Sequence, residues 1–531
     1  MRTLGETMSS LLKAIVDSVH HHRRRTALIY GEKRYSYQEL ACQAGRVAGA
    51  IAECGLSQKG PVGLMADTSL TAYTGVVAIL AAGRPFVVID PAAPPRCIRR
   101  VVDELRIDTL VVGPEAVDRL EILLRHVGRP LAVVVPQLRR LGGIDRRHQR
   151  HRYRLAGDLP APCLPVATPA SSRQTACISY SSGTTGVGEP VAISHANVCA
   201  YLEAIDDELQ LTPQDRCSHV VPLTSQLSIH DLFVTWSAGA TLVRWGGNGQ
   251  PERFIERQGL TCLSATSRLL RAMDALGELS PGRFRTLRHS LIVGEPLAMG
   301  PARRFCQAAP NSSLLGLHGP AEAAVAVGIH RFDPGEEGTD GDPLPIGRPL
   351  GDSRFRVVGD DGTGVGPGMR GRLFISSPQL AVGYAGSPRP TSRRFVRDQQ
   401  GHRWFRSRSV VERTGNGDLV VVGRLDDTVW MGGHRVDLSA VERAVRRACG
   451  HRQATVVGWP PDAAGARELI AFVADEPPVD MNRLRAACRR WLPAPLVPRR
   501  IVVDPHVPVG PTGDVDRNAI DQFLRRREVS L

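Results

Sequence analysis

The sequence predicts an α/β protein in which a large N-terminal domain of mainly parallel sheets, carrying a β-rich subdomain, is followed by a small α+β C-terminal domain. Length is the first reason: 531 residues exceed what one hydrophobic core organises, so two or three cores are expected. The second is alternation, since short apolar runs exchange places with helical patterns over most of the chain. The third is a change of punctuation after Phe355, where short strands are separated by Gly and Asp. With 42% hydrophobic and 23% charged residues, the chain has the composition of a folded protein and not of a disordered one.

At the start, Leu11, Leu12, Ile15, Val16 and Val19 recur at helical spacing and predict an amphipathic helix. It runs into His20, His21, His22, Arg23, Arg24 and Arg25. Cations at a helix C-terminus meet the negative end of its dipole, which explains this run more simply than a metal site does. The runs TALIY from Thr26, VGLMA from Val62, FVVID from Phe86 and TLVVG from Thr109 predict strands, and Tyr37 to Gly55 predicts a helix between them. From Arg139 to Arg154 the chain reads RRLGGIDRRHQRHRYR, and soon after comes LPAPCLPVATPASSR; together they predict an exposed, mobile connection. A second alternating series spans Ala176 to about Leu317. FRVVGDDGTG, GRLFISS and DLVVVGR predict the β-rich subdomain at about 350–425, inside an N-terminal domain of residues 1–425. The C-terminal domain, residues 426–531, has helix patterns at Leu438 to Cys449 and Met481 to Trp491 and a strand pattern, ELIAFVA.

The formal charge of +14 raises nucleic acid, acidic lipid and acidic protein as partners. Only Lys13, Lys33 and Lys59 are lysines, so the charge is arginine spread along the chain, and no recognised nucleic-acid module accompanies it. Nucleic acid is therefore not expected as a partner. No apolar run approaches the roughly 18 to 20 residues of a membrane span, and the first residues lack the pattern of a secretory leader, so a cytoplasmic protein without a membrane partner is expected. The 11 cysteines are scattered without a CxxC pair, which points away from zinc and from a disulfide framework.

The most specific stretch is ISYSSGTTGV, from Ile178 to Val187. A strand that ends in a Ser/Thr/Gly loop offers N–H groups and hydroxyls to phosphate oxygens, and glycine lets the backbone come close. Such a loop alone is more often an ordinary turn. Here it is preceded by AILAAGRPFVVIDPAAPPRCIRRVVDE and followed in order by LRHSLIVGEPL, LHGPAE, PIGRPL, GRLFISSPQLAVGY, GRLDDTV and PTGDVDR. On these motifs the chain resembles the adenylate-forming superfamily, most closely a stand-alone adenylation domain of the nonribosomal peptide synthetases, over nearly its whole length.

The resemblance implies the adenylate-forming fold and a two-step reaction. A carboxylate attacks the α-phosphate of Mg-ATP, and a thiol or amine then takes the acyl group. It implies nucleotide contacts at Ser181, Ser182, Gly183, Thr184, Thr185, Gly186, His318, Gly319 and Arg424, a magnesium-associated carboxylate at Glu322, and a hinge at Asp426. It also implies where this chain departs. Glu189 stands where the family loop has a lysine. His318-Gly319-Pro320-Ala321-Glu322 replaces Tyr-Gly-Pro-Thr-Glu, so the aromatic ring that packs on adenine is an imidazole. Ser409 takes the place of the aspartate that grips the ribose, and Asp514 that of the lysine that bridges carboxylate and α-phosphate. No lysine follows Lys59 to replace it. Since a unit charge about 4 Å from another contributes roughly 4 kcal/mol at an effective dielectric near 20, reversing one such charge puts several orders of magnitude of rate at stake.

In the pocket that the resemblance assigns to substrate, Gln226 replaces the aspartate that pairs with an α-amino group, and His230 lies one helical turn on. Plain packing explains both equally well. An α-ammonium beside Gln226 would be buried without a counter-charge, so an α-amino acid substrate is not expected. Two readings follow: a degenerate or repurposed homologue, serving as a partner protein or in acyl transfer or condensation without its own adenylate, or an active ligase that uses Mg-ATP to activate another small-molecule carboxylate. In either, an acyl or peptidyl carrier protein is the expected protein partner. Loss at four positions that touch ATP favours the first.

Overall fold

A computed structural model describes residues 10–531 except 55, 57, 58, 68, 162–170, 182–188, 248, 249, 295, 296, 360, 416, 425–427, 432, 433, 450–453, 460–465, 467, 474–480, 490, 491, 493–495, 504–519, 521–523 and 525–531. The chain forms two compact units. The first comprises Met1–Ser182, Glu189–Arg354 and Ile375–Phe405, and the second chiefly Phe355–Phe374 and Arg406–Leu531. The expected hinge, Asp426, lies outside the described residues.

Two sheets dominate the first unit. One has nine strands, in the spatial order Arg348–Pro349, Gly328–Arg331, Ser313–His318, His289–Val293, Cys262–Thr266, Arg216–His219, Thr241–Arg244, Thr26–Tyr30 and Lys33–Ser36. From Ser313–His318 to Thr26–Tyr30 the strands are parallel, and antiparallel strands close both edges. The other has eight, in the order Gly383–Tyr384, Pro190–Ser194, Thr175–Tyr180, Phe86–Val88, Val62–Met65, Thr109–Val112, Ala132–Val135 and Arg152–Leu155. The strands VGLM, TLVV and AVVV are buried along their whole length, as expected of parallel strands covered on both faces.

Local chemistry sets the helices. The helix Tyr37–Glu53 opens on a capping box: Ser36 Oγ accepts the Glu39 N–H at 3.2 Å, and the Glu39 carboxylate accepts the Ser36 N–H at 2.8 Å. Leu70–Ala81 and Leu227–Ser237 are buried almost all round, the signature of helices inside a core. They meet beside Phe86 and Val88, where Val76 of one comes to Ile229 and Phe233 of the other. The expected amphipathic helix is Leu11–His22, with Leu11, Leu12, Ile15 and Val19 buried and three histidines in its last turn.

The stretch from Arg139 to Arg154 keeps its arginines exposed up to Arg152, as expected, but its secondary structure corrects the reading of a connection. It is not an open connection: Ile144–Arg147 is a short helix, Arg152–Leu155 is the edge strand of the second sheet, and His151 is buried. Its arginines bond to main-chain carbonyls at helix ends. Arg150 donates to Leu124 O at 2.9 Å and to Val127 O, at the C-terminal end of the helix Val117–His126, and Arg152 donates to Cys54 O at 2.7 Å. Guanidinium groups there cap the helix instead of facing solvent alone.

In the second unit, Arg354–Val358, Arg370–Ser376, Arg403–Arg413 and Leu419–Arg424 lie side by side in that order. Beyond them, Ala454–Trp459 pairs antiparallel with Glu468–Val473, which pairs parallel with Arg500–Val503. The helix Leu438–Ala448 covers this sheet, and Val441, Val445, Val456, Leu469 and Ala471 share one core with the helix Met481–Cys488 through Leu484 and Cys488. Among the described residues no helix is long and apolar enough to cross a membrane.

Candidate functional site

The loop expected to cradle phosphate leaves the strand Thr175–Tyr180 and returns as Pro190–Ser194, with Tyr180 opposite Pro190. Ser181 and Glu189 clasp its neck: the Ser181 N–H donates to Glu189 O at 3.0 Å, and the Glu189 N–H donates to Ser181 Oγ at 3.0 Å. Ser182, Gly183, Thr184, Thr185 and Gly186 lie outside the described residues, as does Asp514. Glu189 is half-buried at this neck, its backbone held from both sides.

Pro190–Ser194 also pairs with Gly383–Tyr384, which sets Tyr384 opposite Val191. From there Tyr384 Oη donates to Glu322 Oε1 at 2.6 Å. Burial pushes the Tyr384 phenol far above its ordinary range, and the carboxylates of Glu322 and Glu189 push it further, with Arg394 opposing.

Glu322, 8% exposed, sits on a one-turn 3-10 helix, Ala321–Ala323, after the strand Ser313–His318. Two features hold this turn. Its exit is strained, with Ala324 at φ 31° and Val325 at φ 77°, conformations that non-glycine residues rarely adopt. Its entry is tight: a Cβ on Gly319 would lie 2.7 Å from both Ala326 Cα and Val325 O. Both neighbours are main chain and cannot rotate away, so Gly319→Ala is expected to cost about 2 kcal/mol. Urea unfolding measures it, and a loss below about 0.5 kcal/mol would mean that the turn yields. His318 is half-buried at the strand end, and its carbonyl accepts the Val327 N–H at 2.8 Å.

Gln226 is brought to the same turn. Its Nε2 donates to Ala321 O at 2.6 Å, and the Ala381 N–H donates to Glu322 O at 2.9 Å. The Gln226 amide therefore braces main chain. His230 is 2% exposed, its Nδ1 shares a 2.7 Å hydrogen bond with Tyr201 Oη, and burial pushes its pKa down to about 3. In the second unit Ser409 faces Arg424 across paired strands, and its N–H donates to Ser407 Oγ at 3.1 Å.

Sequence reasoning missed two arrangements. Tyr384 was visible within GRLFISSPQLAVGY, but nothing local tells its hydroxyl to reach Glu322. The other is His219 and Asp231, whose Nδ1 and Oδ2 lie 2.9 Å apart with side chains 1% and 0% exposed. Burial lowers the His219 pKa and raises that of Asp231, so both groups favour their neutral forms. The pair ties the helix Leu227–Ser237 to the strand Arg216–His219. Among the described residues no three His, Cys, Asp or Glu converge to hold a metal ion.

Comparison with known proteins accords with this arrangement. The chain is 30% identical over 514 residues to the probable non-canonical nonribosomal peptide synthetase CymA of Salinispora arenicola, covering 94% of this chain but 6% of that protein. It is 28% identical over 506 residues to a plipastatin synthase of Bacillus subtilis, covering 93% of this chain and 18% of that protein. The chain thus spans a small part of these relatives. Among solved structures, IdnL7 superposes with a TM-score of 0.79 at 28% identity, covering 97% of this chain and 99% of that one. The Vibrio cholerae adenylation domain AlmE, solved in complex with glycyl-adenosine-5'-phosphate, gives 0.73 at 25% identity, covering 99% of both chains. The AMP-binding enzyme family matches residues 15–385, and to that adenylate-forming family the chain belongs.

Proposed function

We propose that this chain is an adenylate-forming-family protein of secondary metabolism that adenylates inefficiently, and that it acts as a partner protein or in acyl transfer or condensation that needs no adenylate of its own. Glu189 is the observation that carries this reading. Its backbone is fixed by two hydrogen bonds at the neck of the loop, where the resemblance expects a lysine. A carboxylate at residue 189 repels a triphosphate that a lysine would attract. Glu189 does not fit the γ- and β-phosphates of a tetra-anionic nucleotide. Glu322 would suit a magnesium ion, yet one of its oxygens already accepts from Tyr384.

The Gln226 brace supports a substrate without an α-ammonium group, because the amide nitrogen is committed to Ala321 O and no carboxylate stands in its place. The peptide synthetases and synthases among the relatives support an acyl or peptidyl carrier protein as partner. A second reading, an active ligase for a carboxylate that is not an α-amino acid, draws on the retained and strained Glu322 turn and on the bound adenylate of AlmE.

Pyrophosphate exchange over a broad panel of aryl, acyl and amino acids separates the two, with little or no exchange expected. Binding of Mg-ATP by calorimetry is expected to be weaker than about 100 µM, or roughly 5 kcal/mol. Low-micromolar binding would mean that arginines supply the missing charge.

A further inference from the structure

We propose that the buried bond between His219 and Asp231 is a positioning device for Gln226: it fixes the rotation of the helix Leu227–Ser237, and with it the direction in which the Gln226 amide points. The proposal rests on Gln226 belonging to the site described above and not on how that site handles nucleotide. It can therefore fail while the functional reading stands, and the reverse.

Gln226 closes the stretch that leaves the strand Arg216–His219 and enters the helix. The strand half of that stretch is pinned. Arg244 Nη1 donates to His219 O at 3.2 Å and to Val221 O at 2.9 Å, and the Leu223 N–H donates to Asp67 Oδ1 at 3.3 Å. The helix half is tied back to the stretch itself, with Ser228 Oγ 2.9 Å from Leu223 O and 2.6 Å from Ser225 O. What brings the helix back to the strand is the 2.9 Å bond between His219 Nδ1 and Asp231 Oδ2, whose side chains are 1% and 0% exposed. Its partners are themselves held. Tyr73 packs edge-on against the imidazole, with ring centroids 5.8 Å apart, and Ser264 bonds the Asp231 carboxyl from the neighbouring strand Cys262–Thr266. His219 Nε2 and Asp231 Oδ1 have no hydrogen-bond partner among the described residues.

Such a bond is a poor source of stability. Both side chains are held out of water, one polar atom of each goes unpaired, and an apolar pair of similar volume would pack there at little or no loss. What the bond adds is direction. The helix is buried on almost every side, so it can turn about its axis with little change in burial, and apolar packing sets its rotation only weakly. Asp231 lies beyond Gln226 by about 7.5 Å along that axis, so a turn of the helix carries both round together. The Gln226 Nε2 bond to Ala321 O, 2.6 Å long, is lost on a shift of about 1 Å. Through Ala321 it reaches the 3-10 turn that carries Glu322.

The test uses the full chain labelled with ¹⁵N-glutamine, in which the Gln226 side-chain amide is identified by its loss in Gln226→Glu. Solvent exchange of that amide reads the bond to Ala321 O directly. In His219→Leu with Asp231→Leu it should quicken at least about fivefold, while the urea midpoint stays within about 0.5 M of wild type. Asp231→Asn keeps a side chain that can bond Nδ1 and should leave exchange within about twofold. A merely structural pair predicts the opposite split, a fall in midpoint with the Gln226 amide unmoved. Exchange within about twofold in the leucine pair, a larger fall in its midpoint or failure to fold, or equal quickening in Asp231→Asn would each overturn the proposal.

Discussion

Lowering the pH from 7 to 5 is expected to cost the folded protein at least about 4 kcal/mol, through His195 and His230. Both are buried, at 4% and 2% exposed, and burial pushes their pKa values down to about 4 and about 3. Geometry agrees for His195, whose Nδ1 accepts the Leu11 N–H at 3.4 Å and so carries no proton. In the unfolded chain each ring titrates near 6.5. Between that value and the folded one the unfolded state binds more protons, so stability is full above about 6.5 and falls as the pH drops towards 4. At pH 5 each ring forgoes protonation worth about 2 kcal/mol. Carboxylates held below their usual range, such as Asp215 and Asp398, lose their contribution only as the pH falls through their still lower folded values, below this window. Chemical denaturation at pH 7 and 5 measures the loss. In His230→Asn the loss should be smaller by about 2 kcal/mol, and an unchanged slope would show that His230 becomes protonated in the folded state.

What could be read from the sequence follows the range of the forces involved. The helix Tyr37–Glu53 was legible because its cap, Ser36 and Glu39, and its apolar stripe are local. TALIY and VGLMA were legible as strands for the same reason, but not the sheets they join: Leu28 pairs with Leu242 in one sheet, while Val62 pairs with Phe86 and Thr109 in the other. The arginines before Arg154 are exposed as expected, but the short helix and edge strand that carry them were not legible, because a guanidinium that also satisfies helix-end carbonyls has no sequence pattern of its own. Gly319 and Glu322 stood out through motif order. The bond from Tyr384 to Glu322 crosses 62 residues, and the direction of the Gln226 amide depends on a turn 95 residues away.

Restoring three charges together, Glu189→Lys, Ser409→Asp and Asp514→Lys, should raise pyrophosphate exchange by at least about a hundredfold if the proposed reading is right. The three differ in what they correct. At residue 189 a cation replaces a carboxylate on a residue whose backbone the Ser181 clasp holds at the loop neck. With a unit charge contributing roughly 4 kcal/mol at about 4 Å and an effective dielectric near 20, this change should act mainly on affinity for the nucleotide. Ser409 sits in register with Arg424, so an aspartate there returns two acceptors to a strand position already fixed by the Ser407 bond. Asp514→Lys should act mainly on turnover, because the resemblance places that side chain where charge peaks in the transition state, and an interaction made only there changes kcat more than binding. The three should be non-additive, since they serve one triphosphate. A wild-type protein that already exchanges pyrophosphate rapidly, and that the triple change slows, would instead establish an arginine-based set of ATP contacts in a working ligase.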